Sequence, residues 1–406
     1  MPGPLQGLRV IDMSRVLAGP WAGQLLADYG AEVVKVERPQ AGDDTRAWGP
    51  PWLRDSDGNE TNEAAYFQAC NRNKRSITVD LAHPSGRELI RKLVAGSDIL
   101  LENFKVGALK RHGLDAASLR ALNPRLIYCS ISAYGQTGSR SGEPGYDAMI
   151  QAAGGLMSIT GESDADGGRP TKVGVAIADI MAGMYATTAI LAALAAREKS
   201  GEGQHIDVPL FDSQVAWLAN QNMNYLLTGQ APVRRGTAHP NIVPYQAFQT
   251  ADGYLMLAVG NDRQFSDCCA LLACPEIAED PKFSSNRARV ENRGELISWF
   301  GERISKGTSK EWLGRFASKN IPAGPINDLA DVFAEPIIGE REILKFLKHA
   351  TAGDVPTVAN PVRFSDTPVE YNSAPPILGQ HTTEVLKEIL GYSDEDIANL
   401  YDSDAI

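Results

Sequence analysis

Short apolar runs alternate with amphipathic stretches through the first third of the chain. Leu8–Met13 (LRVIDM), Glu32–Glu37 (EVVKVE), Asp98–Asn103 (DILLEN) and Leu126–Ser132 (LIYCSIS) read as short buried strands. Trp21–Tyr29 and Pro84–Ala95 read as helices between them, and Gly30 closes the first, as C-terminal glycines do. Repeated strand–loop–helix units predict an α/β fold, a Rossmann-like large domain with a parallel sheet. Pro39–Asn62 is polar and rich in Pro, Gly and Asp, which predicts a long loop; it holds Arg46, with Trp48 and Trp52 just after it. Arg72, Lys74 and Arg75 cluster ahead of a further strand in Asn71–Leu81 (NRNKRSITVDL). They are either a solvated patch or a surface for an anionic ligand. A glycine-rich loop, Tyr134–Tyr146, follows the last of these strands, at the kind of strand end where α/β sheets bind ligands.

Thr171–Gly201 breaks the alternation. No charged residue lies between Asp179 and Arg197, and Ala, Leu, Ile and Met dominate. A helix apolar all round is expected to be buried. The run falls short of a bilayer span, so a core helix is the reading. Asp179 stands at its mouth, where two readings stay open: a helix cap, or a carboxylate at a place whose free N–H groups stabilise charge on a substrate oxygen. Gly203–Leu210 reads as a strand, Phe211–Leu227 as a helix, and Gly229–Asn241 as an irregular basic stretch with Arg234, Arg235 and His239. From Tyr245 a two-residue alternation predicts a hairpin turning near Asp252–Gly253. Helices follow to about Asn320, and Ile321–Ile326 is a linker or strand edge. The predicted division is a large α/β domain over residues 1–225, a smaller α+β domain over 226–325, and a linker and return to the large domain over 326–406.

Composition narrows the function. The 406 residues exceed what one core supports. A net charge of −11 argues against a nucleic-acid partner. The five cysteines show no ligand spacing, the six histidines are scattered, and neither a metal nor a disulfide framework is expected. The opening MPGPLQGLRVIDMS has neither the charged nor the apolar region of a signal peptide, so the expectation is a cytoplasmic protein without a membrane partner. G-x-G-x-x-G is missing after the first strand, as are a Walker A loop, H-E-x-x-H and G-x-S-x-G.

The ordered set GLRVIDMSRVLAGPWAGQLLADYGAEVVKVER, NRNKRSITVDL, LENF, PGYDAM, GVAIADIMAGMYA, GQHIDVPLFDSQ, PAGPI and LGQHTTEVL resembles the class III CoA-transferases, the CaiB/BaiF-type family of formyl-CoA transferase and carnitine CoA-transferase. The resemblance spans nearly the whole chain. It implies that Asp179 is the nucleophile and that Val16, Leu17, Ala18, Arg38, Lys74, Asn103, Phe104 and Arg111 line a CoA site, with Arg72 and Arg75 beside Lys74. It also implies an interlocked homodimer, and no cofactor beyond CoA as substrate. Racemases of the family pair the Asp with a His where this chain has Tyr146. A phenol is a poor second base, which favours transfer over racemisation. RRGTAHPNIVPYQAFQTADGY, GNDRQF, VFAEP and GDDTRAWGPPW resemble the succinyl-CoA:glutarate CoA-transferase branch. The glycine run of formyl-CoA transferase is absent, with Arg235–Asn241 in its place. Dicarboxylic substrates need a partner for their distal carboxylate, and Tyr146, Arg46, Arg234, Arg235 and His239 are the candidate substrate-binding residues. The alternatives are another class III activity (formyl-CoA or carnitine CoA transfer, or 2-methylacyl-CoA racemisation) and a noncatalytic acyl-CoA-binding protein.

Overall fold

The computed structural model describes residues 2–406, which divide into two units. Among the described residues, the first comprises 2–156, 173–223 and 339–406, and the second 157–172 and 224–338.

The first unit is built on a six-stranded, all-parallel sheet. Its strands are β1 (Arg9–Asp12), β2 (Glu32–Glu37), β3 (Lys74–Thr78), β4 (Ile99–Glu102), β5 (Ile127–Ser132) and β6 (His205–Pro209). Their order is β3-β2-β1-β4-β5-β6. This order reverses direction between β1 and β4, and such switch points open a crevice at the carboxyl ends of the strands. Period-two alternation sorts each strand between two cores. Val10, Val33, Leu101, Ile127 and Cys129 face one side, with Ala22 and Leu26 of helix α1 (Ala18–Asp28). Ile11, Val34, Leu100 and Tyr128 face the other, with Leu89, Ile90 and Leu93 of α2 (Pro84–Ala95) and Val385 and Leu386 of α5 (Thr382–Leu390).

Helix α1 begins at Ala18, earlier than Trp21, with Pro20 inside the first turn, where a missing N–H does no harm. The long apolar helix, α4 (Ile177–Ser200), lies on the first core through Ala178, Ala182, Ala186, Ile190 and Ala193. A Cβ on Gly183 would meet the Ala18 carbonyl at 2.6 Å, so glycine is what lets α4 close on α1. The expectation of burial all round is corrected. Met184, Tyr185, Thr188 and Leu191 occupy the opposite face and are exposed. By length and composition alone α4 passes as a membrane span, yet this packing is that of a helix on a sheet.

The C-terminal segment seals the outer edge of the sheet. The His381 N–H donates to Ser76 O and the Ser76 N–H to His381 Nδ1. The Thr78 N–H donates to Thr382 Oγ1, and the Asp80 N–H to Ala405 O.

The second unit has a three-stranded antiparallel sheet, with Tyr254–Ala258 between Tyr245–Gln249 and Ala323–Pro325. Phe248, Leu255, Leu257, Phe265, Phe300, Trp312 and Phe316 form its core. Residues 157–172 belong here and not with the large domain, because the chain after 230 bonds back to them: the Gly236 N–H donates to Gly161 O, and Arg234 to Glu162 O. The stretch 326–338 likewise groups with the second unit. The helix expected over Phe211–Leu227 is two helices, Leu210–Trp217 and Asn220–Thr228, parted by Ala219 at φ 47°. The expected loop over 39–62 holds an antiparallel pair, Trp52–Arg54 with Glu60–Ala64.

Candidate active site

The switch-point crevice is organised by the loop between β1 and α1. Asp43 holds this loop from beneath. Its carboxylate accepts the Val16 N–H at 3.2 Å and the Lys35 ammonium at 2.9 Å, and Lys35 also donates to Ser14 O. Burial opposes the charge on Asp43, but Lys35 and the N–H groups of Thr45 and Val16 together outweigh it and lower the carboxyl to about 2. Asn103, just past β4, holds the loop from the side. Its Nδ2 donates to Arg15 O at 2.6 Å, and its Oδ1 accepts the Arg15 N–H at 2.8 Å. Between these clamps Val16 takes φ 71°, a left-handed conformation that a β-branched residue adopts only where its surroundings impose it.

Across the crevice α4 starts at Ile177 without a side-chain cap from Ala176. The carboxylate that serves its first turn is Asp147, at the start of helix α3 (Asp147–Ala153). Asp147 Oδ1 accepts the Ala178 N–H at 2.8 Å, and its other oxygen accepts Gln151 Nε2 at 2.7 Å. Gln151 Oε1 in turn accepts the Val173 N–H, which ties down the approach to α4. Asp179 is therefore not the cap. It is buried, and no side-chain or backbone donor among the described residues bonds to it. Burial, reinforced by the negative charge of Asp147, pushes its carboxyl up to about 7. An ordinary exposed Asp would be fully ionised at neutral pH, whereas Asp179 holds its proton toward neutrality.

Asp179 opens onto a cavity of about 280 Å³ lined by Val16, Leu17, Ala18, Asn103, Phe104 and Tyr146. Tyr146 is exposed there. A neighbouring cavity of about 210 Å³ shares Arg15 and Phe104 with the first and carries Arg38 and Arg111. Eight of the sequence-derived site residues and Asp179 therefore fall along two adjoining cavities. The Ala18 N–H, in the first turn of α1, has no carbonyl partner among the described residues and is one of the orphan donors of a helix start.

The other expected site residues are placed elsewhere. Lys74 is buried on Asp12, Pro20 O and Asn71. Arg72 is buried on Asp28, with Val358 O as a further acceptor. Arg75, on the opposite face of the strand from Lys74, reaches Glu32, Glu384 and Glu388. The cluster is contiguous in sequence, but strand alternation parts it, and none of the three lines either cavity. Arg46 is buried with every nitrogen engaged, by Glu37, Glu63 and Pro376 O, and it stacks on Phe67. It has no donor left for a substrate. Arg234 bonds Glu162 O and Asp164, Arg235 is exposed, and His239 stacks on Tyr245 while its Nδ1 accepts the Asn241 N–H; all three belong to the second unit. Sequence reasoning passed over Asp147 and Arg15. Each stood inside a quoted motif, PGYDAM and MSRVLAGP, with no periodic signal to set it apart.

The family model for CoA-transferase family III matches residues 5–382. The chain is 50% identical over 386 residues to the succinate–glutarate CoA-transferase of Agrobacterium fabrum, covering 95% of this chain and 96% of that one. It is 44% identical over 397 residues to the succinyl-CoA:glutarate CoA-transferase of Homo sapiens, covering 98% and 88%. Among solved structures, a CaiB/BaiF family protein from Brucella suis superposes with a TM-score of 0.83 at 48% identity, over 96% of this chain and 100% of that one.

Proposed function

The chain belongs to CoA-transferase family III, and from that premise we propose that it exchanges CoA between succinyl-CoA and a second dicarboxylic acid, glutarate, through covalent intermediates on Asp179. The observation that carries this reading is a buried carboxylate without a hydrogen-bond donor, facing a cavity at the sheet's switch point. Relatives at 44–50% identity whose names state those two acids support the substrate pair.

The chemistry needs few groups. An oxygen of the Asp179 carboxylate attacks the thioester carbonyl. The C–S bond breaks, and CoA leaves as a thiolate with the bonding pair, giving a succinyl–aspartyl anhydride. The thiolate then attacks the aspartyl carbonyl and releases succinate, leaving an aspartyl-CoA thioester. Glutarate attacks that carbonyl, thiolate leaves again, and its attack on the glutaryl side frees glutaryl-CoA and the Asp179 carboxylate. Charge and protons balance without an external acid or base. The Ala18 N–H and the dipole of α1 favour the oxyanion of each addition. A carboxylate destabilised by burial is the more reactive nucleophile, and the requirement is that it be ionised. The CoA moiety is assigned to the paired cavities, with Arg38 and Arg111 for phosphates, because a guanidinium fork suits phosphate oxygens.

The test is incubation of the purified protein with succinyl-CoA and glutarate, read by mass spectrometry, followed by hydroxylamine trapping with donor alone. Glutaryl-CoA should form, and the hydroxamate should map to the peptide containing Asp179. Turnover with the hydroxamate on another residue would remove the aspartyl route. The exposed apolar face of α4 supports association of two copies, so the same preparation should sediment as a dimer; a monomer at micromolar concentration would exclude it.

A further inference from the structure

A dicarboxylic acid in this exchange keeps one carboxylate unreacted. That group stays ionised within a site that already holds the Asp179 carboxylate, and leaving it without a counter-charge is expensive. Arg46 cannot help, because Glu37, Glu63 and Pro376 O take all its nitrogens. Among the residues lining the Asp179 cavity, two are cationic, Arg15 and Lys105.

Arg15 differs from Arg46 in keeping donors free beside this cavity. Its backbone is clamped at both the N–H and the carbonyl by Asn103. Its guanidinium lies 5.6 Å from the centre of the Phe104 ring, so the stem is directed along the cavity wall. Nη1 donates to Asp44 at 2.9 Å, but Nε is buried without an acceptor, and Nη2 has none among the described residues. Nη2 is free to donate to a carboxylate oxygen, and rotation of the side chain off Asp44 would bring Nε alongside it as the side-on fork. Asp44 is a loose partner. It is about one-third exposed and divides itself between Arg15 and the exposed Arg38. Lys105 is exposed and offers a point charge without a fork.

We propose that Arg15 receives the distal carboxylate of the acyl group and so selects dicarboxylic over monocarboxylic substrates, with Asp44 holding the guanidinium in place while the site is empty. The inference rests on the reading of Asp179 as the nucleophile. Arg15 acts by binding the tail, away from the bond that breaks.

The experiment compares glutaryl-CoA with pentanoyl-CoA, whose CoA portions are identical, with hydroxylamine as the acceptor for both and CoA release as the readout. The wild type should prefer glutaryl-CoA in kcat/KM by on the order of 100-fold. Arg15→Gln should bring that ratio to within about threefold of one, the loss falling on glutaryl-CoA. Arg15→Lys should keep part of the preference, since it retains charge without the fork, and thermal unfolding of each variant checks its fold. The proposal is overturned if Arg15→Gln leaves the ratio unchanged. It is overturned equally if both thioesters lose alike, which would place Arg15 on the CoA portion, or if Lys105→Gln collapses the ratio in place of Arg15→Gln. CoA release that survives Asp179→Ala would instead defeat the underlying reading of the nucleophile, and it is scored separately in the same assay.

Discussion

Two sets of buried carboxylates lie near the carboxyl ends of the same strands, and burial drives them in opposite directions. Beneath the β1–α1 loop, Asp12 pairs with Lys74 at 2.9 Å, Asp43 with Lys35 at 2.9 Å, and Glu37 with Arg46 at 2.8 Å. Desolvation alone would push these acids up, yet Lys74 and Lys35 around Asp12, and Arg46 and Lys35 around Glu37, hold both below the ordinary range. Asp179 is buried almost as deeply. Among the described residues the charge that acts on it is another acid, Asp147, and burial with that charge sends its carboxyl up. Burial of charge is thus no mark of function in this molecule. What sets Asp179 apart is a charge that the framework leaves unpaired where a cavity reaches it.

The sharpest way to break that contrast is at Asp179 itself. Asp179→Ala should lower CoA transfer by on the order of 10³-fold or more while the protein folds. More than a few per cent of wild-type turnover in protein free of contaminating wild type would sink the assignment. Asp179→Asn should melt at a higher temperature than wild type near pH 8. The sign follows from the raised pKa. Between 3.8 and about 7 the folded protein binds the proton more tightly than the unfolded chain, so this group's contribution falls as pH rises through that window. The variant's advantage should grow over the same interval and level off above it; an advantage independent of pH would contradict the account.

On the paired side, Lys74→Met removes the ammonium from Asp12 and leaves a fully buried carboxylate without its ion-pair partner, with only the Ser14 donors and the more distant Lys35 to compensate. Unfolding in denaturant should show a loss of about 3–5 kcal/mol. A loss below about 1 kcal/mol, the size of a surface pair, would mean that the network is not part of the framework. The smallest effect belongs to Asp147→Asn. The amide oxygen still accepts the Ala178 N–H, but the negative charge is gone. The midpoint of the pH dependence of CoA release, expected near 7 in the wild type, should move to lower pH in the variant. A stationary midpoint would show that burial alone sets the nucleophile.

Much of the framework was legible in the sequence, for local reasons. Glu32–Glu37, Pro84–Ala95 and the Tyr245–Ala258 hairpin stand where apolar periodicity and turn residues put them. The Trp52–Ala64 pair was not legible. Its second strand, ETNEA, is mostly polar and half-exposed, so alternation has little to report. Composition also misled over α4. A run without charges says that polar solvent is unwelcome, but not whether the first core alone covers every face. In the site, Asp179 and the residues of the β1–α1 loop were reachable because they follow strand ends and open a helix. Which cations are free was not. Arg46 and Arg15 look alike as letters, and only the positions of Glu37, Glu63 and Asp44 tell a filled guanidinium from one with donors to spare.

The seal on the outer strand of the sheet has a consequence for how the chain comes to be folded. Ser76 and its neighbours wait for partners some 305 positions later. Contacts so distant in sequence form late, because the intervening chain must first be ordered or looped out. During synthesis the strand Lys74–Thr78 therefore leaves the ribosome long before His381 and Ala405 do, and its outer edge stays open in the interval. Open strand edges recruit other strands. The nascent protein passes through a period in which its main sheet has one unguarded edge, and closure comes only with residues 381–405.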